Sequence, residues 1–269
     1  MKNFLSKIKT ERVYVFLILL FGMISVFVTF PLGNGDEGYH LSKSYNIFSM
    51  NHPKSMKKTV VRQLEYQAIG LDGDMKDFDV ETFYIKKLKD VEKDSFRFNI
   101  AYDRNITMQI DIAHIPAAIG VMLGRVIYPS YGVMLLCSRI SSLLFFALCM
   151  GAIIKKSTVG KWTLFMLFSI PCIQKLASPS YDVFSYVVFA MYSVNIFELA
   201  KLRTIKEVSK QKILYTLITI ILLLFCKKNY LFALAVIPFL PMFFLRGLEW
   251  LDNKKMSVKI VIFVTGIIV

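Results

Sequence analysis

The chain has 269 residues, 55% of them hydrophobic, with 23 phenylalanines and a formal net charge of +14. A soluble domain of this length has no interior large enough for that much apolar surface, so the composition excludes an ordinary soluble globular protein. A nucleic-acid footprint is excluded as well, because the cations fall in short clusters between apolar blocks.

The first apolar block covers residues 13–30 and follows Lys2, Lys7, Lys9 and Arg12. It is longer than the core of a secretory signal. Val28, Thr29, Phe30 and Pro31 offer no small-x-small cleavage site, so the block reads as a retained spanning helix.

Residues 31–130 are polar and neutral overall, with 13 acidic and 13 basic side chains. Through 50–105 the charges alternate with Phe, Tyr, Val and Ile, the pattern of a folded segment rather than a linker. Asp72, Asp74, Asp77 and Asp79 suggest a calcium loop, but the match is poor because no glutamate sits at the closing position, and a solvated turn is expected. Residues 112–127 turn apolar again. Pro129, Ser130 and Tyr131 leave too little room for a tight reversal, and a span here would invert every later loop. The expectation is an amphipathic helix lying on the outer membrane surface.

Apolar blocks follow at 131–154, 162–177, 181–200, 213–226 and 230–245, with a last one at 258–269. The last would rise only about 18 Å as a helix, short of the roughly 30 Å hydrocarbon core, so a seventh span is expected to be cut short. Basic residues recur in alternate loops: Lys155, Lys156 and Lys161, then 201–212, then Arg246, Lys254, Lys255 and Lys259. With a cytoplasmic N-terminus, the positive-inside rule is met at each. Residues 31–130 and the turns 178–180 and 227–229 then lie outside. The expected fold class is an all-α polytopic membrane protein. It has a tail and first span at 1–30, a partly helical extracellular loop at 31–130, and a bundle of spans at 131–269. Cys137, Cys149, Cys172 and Cys226 sit in or beside apolar blocks with no metal or redox spacing.

Asp36, Glu37 and His40 follow directly on the first span. If a helix begins here, Asp36 is a suitable N-cap and His40 lies one turn on. Two readings stand: a capped interfacial helix, or a catalytic acid pair. A carboxylate just outside a membrane can take a proton from an attacking hydroxyl or bind a divalent cation. Asp182 returns to the same side, either as an N-cap or as a second acid. Lys227 and Lys228 stand on the outer side against the charge rule, as snorkelling ends of a helix or as anion ligands. Arg139 lies inside the second span, where an unpaired charge costs several kcal/mol. It is expected to face a carboxylate, a phosphate or a bundle partner.

One span, an outer loop opening on Asp-Glu and a run of further spans resemble the GT-C superfamily of membrane glycosyltransferases. Closer still is an uncharacterised bacterial branch whose first loop carries Pro-x-Asp-Glu-x-x-His. Asp36, Glu37 and His40 match that pattern, with Asn34 or Gly35 in place of the proline. Ile115, Pro116 and the Gly120–Gly124–Arg125 element match its surface helix. Arg139, the Ser178–Tyr181–Asp182 turn and the Lys227–Tyr230 start follow in order. The resemblance implies a GT-C-like helical bundle in a bacterial cell membrane. Its substrates would be a polyprenyl-phosphate-linked sugar donor and a glycan or lipid acceptor. It implies Asp36, then Glu37, as general base, with Asp182 as a second acid. His40, Arg139, Lys227, Lys228 and Tyr230 would bind substrate. In members that use a divalent metal, Mg or Mn, the implied ligands are Asp36 and Asp182. The alternatives are a transport or flippase-like component, with Arg139 and Lys175 lining a path, and a non-catalytic component of cell-surface polysaccharide assembly. No internal repeat supports the transporter reading.

Overall fold

A computed structural model describes residues 9–70, 78–100, 108–158, 160–167, 173–202, 207–239 and 257. Every element among them is helical, in agreement with the all-α expectation. The aspartates at 72, 74 and 77, Cys172, the second half of the 230–245 block and the 258–269 block lie outside the described residues.

Among the described residues three helices are long and apolar enough to cross a membrane: α1 (Thr10–Val28), α8 (Tyr131–Lys156) and α11 (Asp182–Ala200). The elements between α1 and α8 are α2 (Glu37–Ile47), a 3-10 turn (Lys54–Met56), α3 (Lys58–Ala68), α4 (Val80–Ile85), α5 (Lys89–Glu92), α6 (Met108–Ala113) and α7 (Ile115–Ile127). The described parts of the 162–177 block are helical, α9 (Lys161–Leu167) and α10 (Ile173–Leu176). The 213–226 block forms α12 (Lys210–Leu224), only 15 residues long, and Lys228–Phe239 winds as a 3-10 helix. Fewer long spans are therefore present among the described residues than the seven expected from apolar blocks alone.

Small residues set the packing of α1 on α8. A Cβ on Gly22 would lie 2.3 Å from Leu143, and one on Gly151 would lie 2.5 Å from Val15. The two contacts run in opposite sense along the helices, so the pair is antiparallel. Leu143, Phe146 and Met150 of α8 pack with Tyr14 and Ile18 of α1, and α11 closes the cluster with Val183, Val187 and Ala190.

The described residues between 31 and 130 build a helical domain with its own core. Leu41, Tyr45, Met56, Val61, Phe83, Val91 and Val121 are buried together with Tyr131, Met134 and Leu135 of α8. The first two turns of α8 therefore belong to the polar domain as much as to the membrane bundle. Asp94 ties this domain together. Its carboxylate accepts from Tyr45 Oη at 2.7 Å, Ser49 Oγ at 2.6 Å and the Asn51 N–H at 2.8 Å. Burial pushes the Asp94 carboxyl up, but these bonds outweigh it and hold the group below its ordinary range. Arg125 donates to the Asp94 and Phe48 carbonyls and lies 3.9 Å from the Phe96 ring centre.

The α7–α8 junction differs from expectation. The chain does reverse tightly, within Tyr128, Pro129 and Ser130. Gly120 and Gly124 make this possible. A Cβ at 120 would meet the Cys137 carbonyl at 2.3 Å, and one at 124 would meet Met134 Cα at 2.8 Å. With no side chains in the way, the two backbones close on each other. Ser130 caps α8 through the Val133 N–H at 3.3 Å, and Tyr128 Oη donates to the Ile85 carbonyl at 2.5 Å. So α7 runs antiparallel along α8. Its 13 residues rise about 20 Å, too little to cross a bilayer.

Candidate functional site

The start of α2 is where the polar domain meets the membrane helices. Glu37 has no exposed surface, and both its oxygens face Arg139 of α8, 1% exposed. Nε donates to Oε1 at 2.8 Å and Nη2 to Oε2 at 2.7 Å. Nη1 donates to the Val26 and Thr29 carbonyls at 3.1 and 2.9 Å, and Nη2 to the Phe30 carbonyl at 3.0 Å. All five guanidinium N–H groups are thus used. The last carbonyls of α1 have no partner within their own helix, and Arg139 supplies one. Burial pushes the Glu37 carboxyl up, while Arg139 and the backbone N–H groups of Asn34 and Leu32 pull against that shift.

Asp36 behaves differently from its neighbour and from the N-cap reading. Its backbone is left-handed, φ +56°, and its side chain makes no capping bond. Instead the carboxylate, 64% exposed, pairs with Arg62 of α3. The cap comes from elsewhere: buried Glu65, also on α3, accepts from the Gly38 N–H at 3.2 Å. Gly38 is needed for this, since a Cβ there would lie 2.9 Å from the Val61 carbonyl and 3.1 Å from Glu65 Oε2.

One turn on, His40 Nδ1 lies 2.8 Å from Nε2 of His114, at the α6–α7 junction, and both rings are buried. Tyr181, just before α11, sets its ring edge-on to both, with centroids 4.9 and 5.4 Å away. Tyr39 also packs against the pair, 5.2 Å from His40 and 6.2 Å from His114. Burial, then the charges of His114, Lys175, Lys227 and Arg62, push the His40 pKa well down. Beside this cluster Lys43 of α2 and Asp111 of α6 form a buried ion pair at 2.5 Å. Asn34 Nδ2 donates to the Ala177 carbonyl at 3.1 Å, fastening the first loop to the turn before α11.

Cations surround this aromatic group. Lys227 Nζ lies 5.5 Å from the Tyr181 ring centre, Lys58 Nζ 5.1 Å and the Arg62 guanidinium 5.9 Å from that of Tyr39. Of the residues singled out in the sequence, Asp36, Glu37, His40 and Lys227 come together here, and Arg139 joins through Glu37. Asp182 is the first residue of α11, half-buried beside Tyr181, with its N–H bonded to Ser180 Oγ at 3.1 Å. Lys228 is exposed, and Tyr230 packs on Phe189 of α11 at 5.6 Å and on Tyr186 at 6.4 Å. Arg62, Glu65, His114 and Tyr181 are members of this site that the sequence does not mark as such. Only Tyr181 sits inside a motif; the others lack any spacing that ties them to α2.

Among the described residues no three His, Cys, Asp or Glu side chains gather as a metal-ligand set. Asp36 is engaged by Arg62 instead, which does not fit a divalent-metal ligand.

Helical spans joined to a small helical domain, with a charged aromatic cluster where they meet, define a multi-span membrane protein. Residues 19–269 match the profile of DUF2142, a predicted membrane protein family of unknown function, and the chain belongs to that family. No curated protein and no solved structure matches it.

Proposed function

We propose that the chain is a GT-C-like glycosyltransferase of a bacterial cell membrane. In this reading it moves a sugar from a polyprenyl-phosphate donor to a cell-envelope glycan or lipid acceptor on the outer face. The observation that carries the reading is the meeting of the exposed Asp36 carboxylate with Lys227, Arg62 and the His40–His114–Tyr181 group, drawn from separate loops. In the reaction Asp36 takes the proton of the acceptor hydroxyl as its oxygen bonds to the sugar C1. The bond from C1 to the phosphate oxygen breaks, and polyprenyl phosphate leaves. Lys227, with Arg62 nearby, offsets the charge gained by that phosphate. Asp182 is the second acid. Glu37, with both oxygens committed to Arg139, positions the loop. Basic loops at 155–161 and 201–212 support a cytoplasmic N-terminus. Arg139 has no donor left to line a transport path, which weighs against the flippase-like alternative.

The test uses full-length protein in membranes supplied with a labelled polyprenyl-phosphate sugar. Asp36→Asn is expected to cut transfer at least about a hundredfold. It should leave folding intact, since an exposed ion pair contributes about 1 kcal/mol or less. If Asp36→Asn and Asp182→Asn both restore an envelope glycan that gene deletion removes, the catalytic assignment of these acids fails.

A further inference from the structure

At the end of the α1–α8 pair remote from Arg139, a cleft of about 420 Å³ opens between the helices. Lys9, Arg12 and Lys155 line it, with Glu11 as the lone acid. Among the described residues none of the three cations forms an ion pair. The membrane-side wall is apolar, with Phe16 and Leu148 each 63% exposed. An exposed apolar strip of α1 also begins at Phe16 and runs through Leu20, Ile24 and Phe27 to Val28. That stretch rises about 18 Å, close to one leaflet of a roughly 30 Å hydrocarbon core.

We propose that this end of the pair binds an anionic phospholipid, with its phosphate among Lys9, Arg12 and Lys155 and an acyl chain along α1 from Phe16 toward Val28. The charge rule for loops accounts for basic residues at this end. It does not account for a cleft that continues through Phe16 into an exposed apolar strip of α1. The surplus of cations selects an anionic headgroup over a zwitterionic one, each basic residue near the surface being worth about fivefold in affinity. This site is independent of the transferase reading.

The test is native mass spectrometry of the full-length chain with phosphatidylglycerol, phosphatidylcholine of matched acyl chains, and inorganic phosphate. Phosphatidylglycerol is expected to bind at about twentyfold lower concentration than phosphatidylcholine. Arg12→Gln with Lys155→Gln should abolish that preference, while Lys54→Gln with Lys93→Gln, exposed in the polar domain, keeps it. Ala152→Trp, on the exposed edge of the cleft, should reduce binding with no charge removed. Equal binding of the two lipids overturns the proposal. So does a preference that survives the Arg12 and Lys155 changes, or displacement of lipid by an equal concentration of phosphate.

Discussion

Replacing Arg139 by Gln tests whether this residue is a structural clamp. The change leaves the fully buried Glu37 without its counter-ion. Breaking one side of such a pair costs about 3–5 kcal/mol, because the remaining charge stays desolvated. A simple pair would be rescued by removing both partners. Here Arg139 also serves three carbonyls, of which the Val26 bond is buried and the Thr29 and Phe30 bonds are partly so. The double variant Arg139→Met with Glu37→Leu should therefore recover most of the loss but stay about 1–3 kcal/mol below the parent, the cost of an unserved buried carbonyl. Reversible unfolding in mixed micelles, followed by circular dichroism, measures all three differences. An Arg139→Gln protein within 1 kcal/mol of the parent, or a double variant fully as stable, would refute the clamp.

Three further outcomes follow from the geometry. His40 holds its proton less tightly when folded than when unfolded, so its contribution to stability is complete above its unfolded pKa near 6.5 and declines as pH falls below it. The slope approaches about 1.4 kcal/mol per pH unit, and it should flatten in His40→Phe when stability is titrated from pH 7.5 to 5.5. Gly120→Val drives a side chain into the Cys137 carbonyl and should cost about 1–3 kcal/mol. Unfolding midpoints report it, and no effect would mean that α7 and α8 are less closely packed. Asp94→Ala leaves Tyr45, Ser49 and Arg125 facing a vacated acceptor and should loosen the polar domain. Faster proteolysis within residues 45–98 than in the parent would register it.

The sequence shows the helix class because apolar blocks of 18 or more residues have few other uses. It also shows that 31–130 folds, since charges alternate there with Phe, Tyr and Val. It does not show the path of α7, because nothing in residues 112–127 says whether Gly120 and Gly124 face a membrane or another helix. A buried Arg139 demands a partner, but its choice of Glu37 over a phosphate depends on the chain returning 102 residues later in sequence. Asp36 and Glu37 are adjacent and chemically alike, yet one faces solvent and the other is sealed. The left-handed turn at Asp36 separates them, and it is set by Glu65 and Arg62 on a different helix. Contacts of that kind carry no local signature, and the His40–His114 pair is another.

Arg139 also sets an order of events while the chain is being made. It is added 109 residues after Phe30, whose carbonyl it serves. At the usual pace of synthesis that is a wait of roughly 5–20 s. Through that interval the trailing edge of α1 must borrow water or lipid headgroups, and it is finished only when α8 emerges from the ribosome. The two helices mature as one unit. A nascent chain halted before residue 139 would carry a permanent flaw at the bilayer rim for quality-control proteases to find.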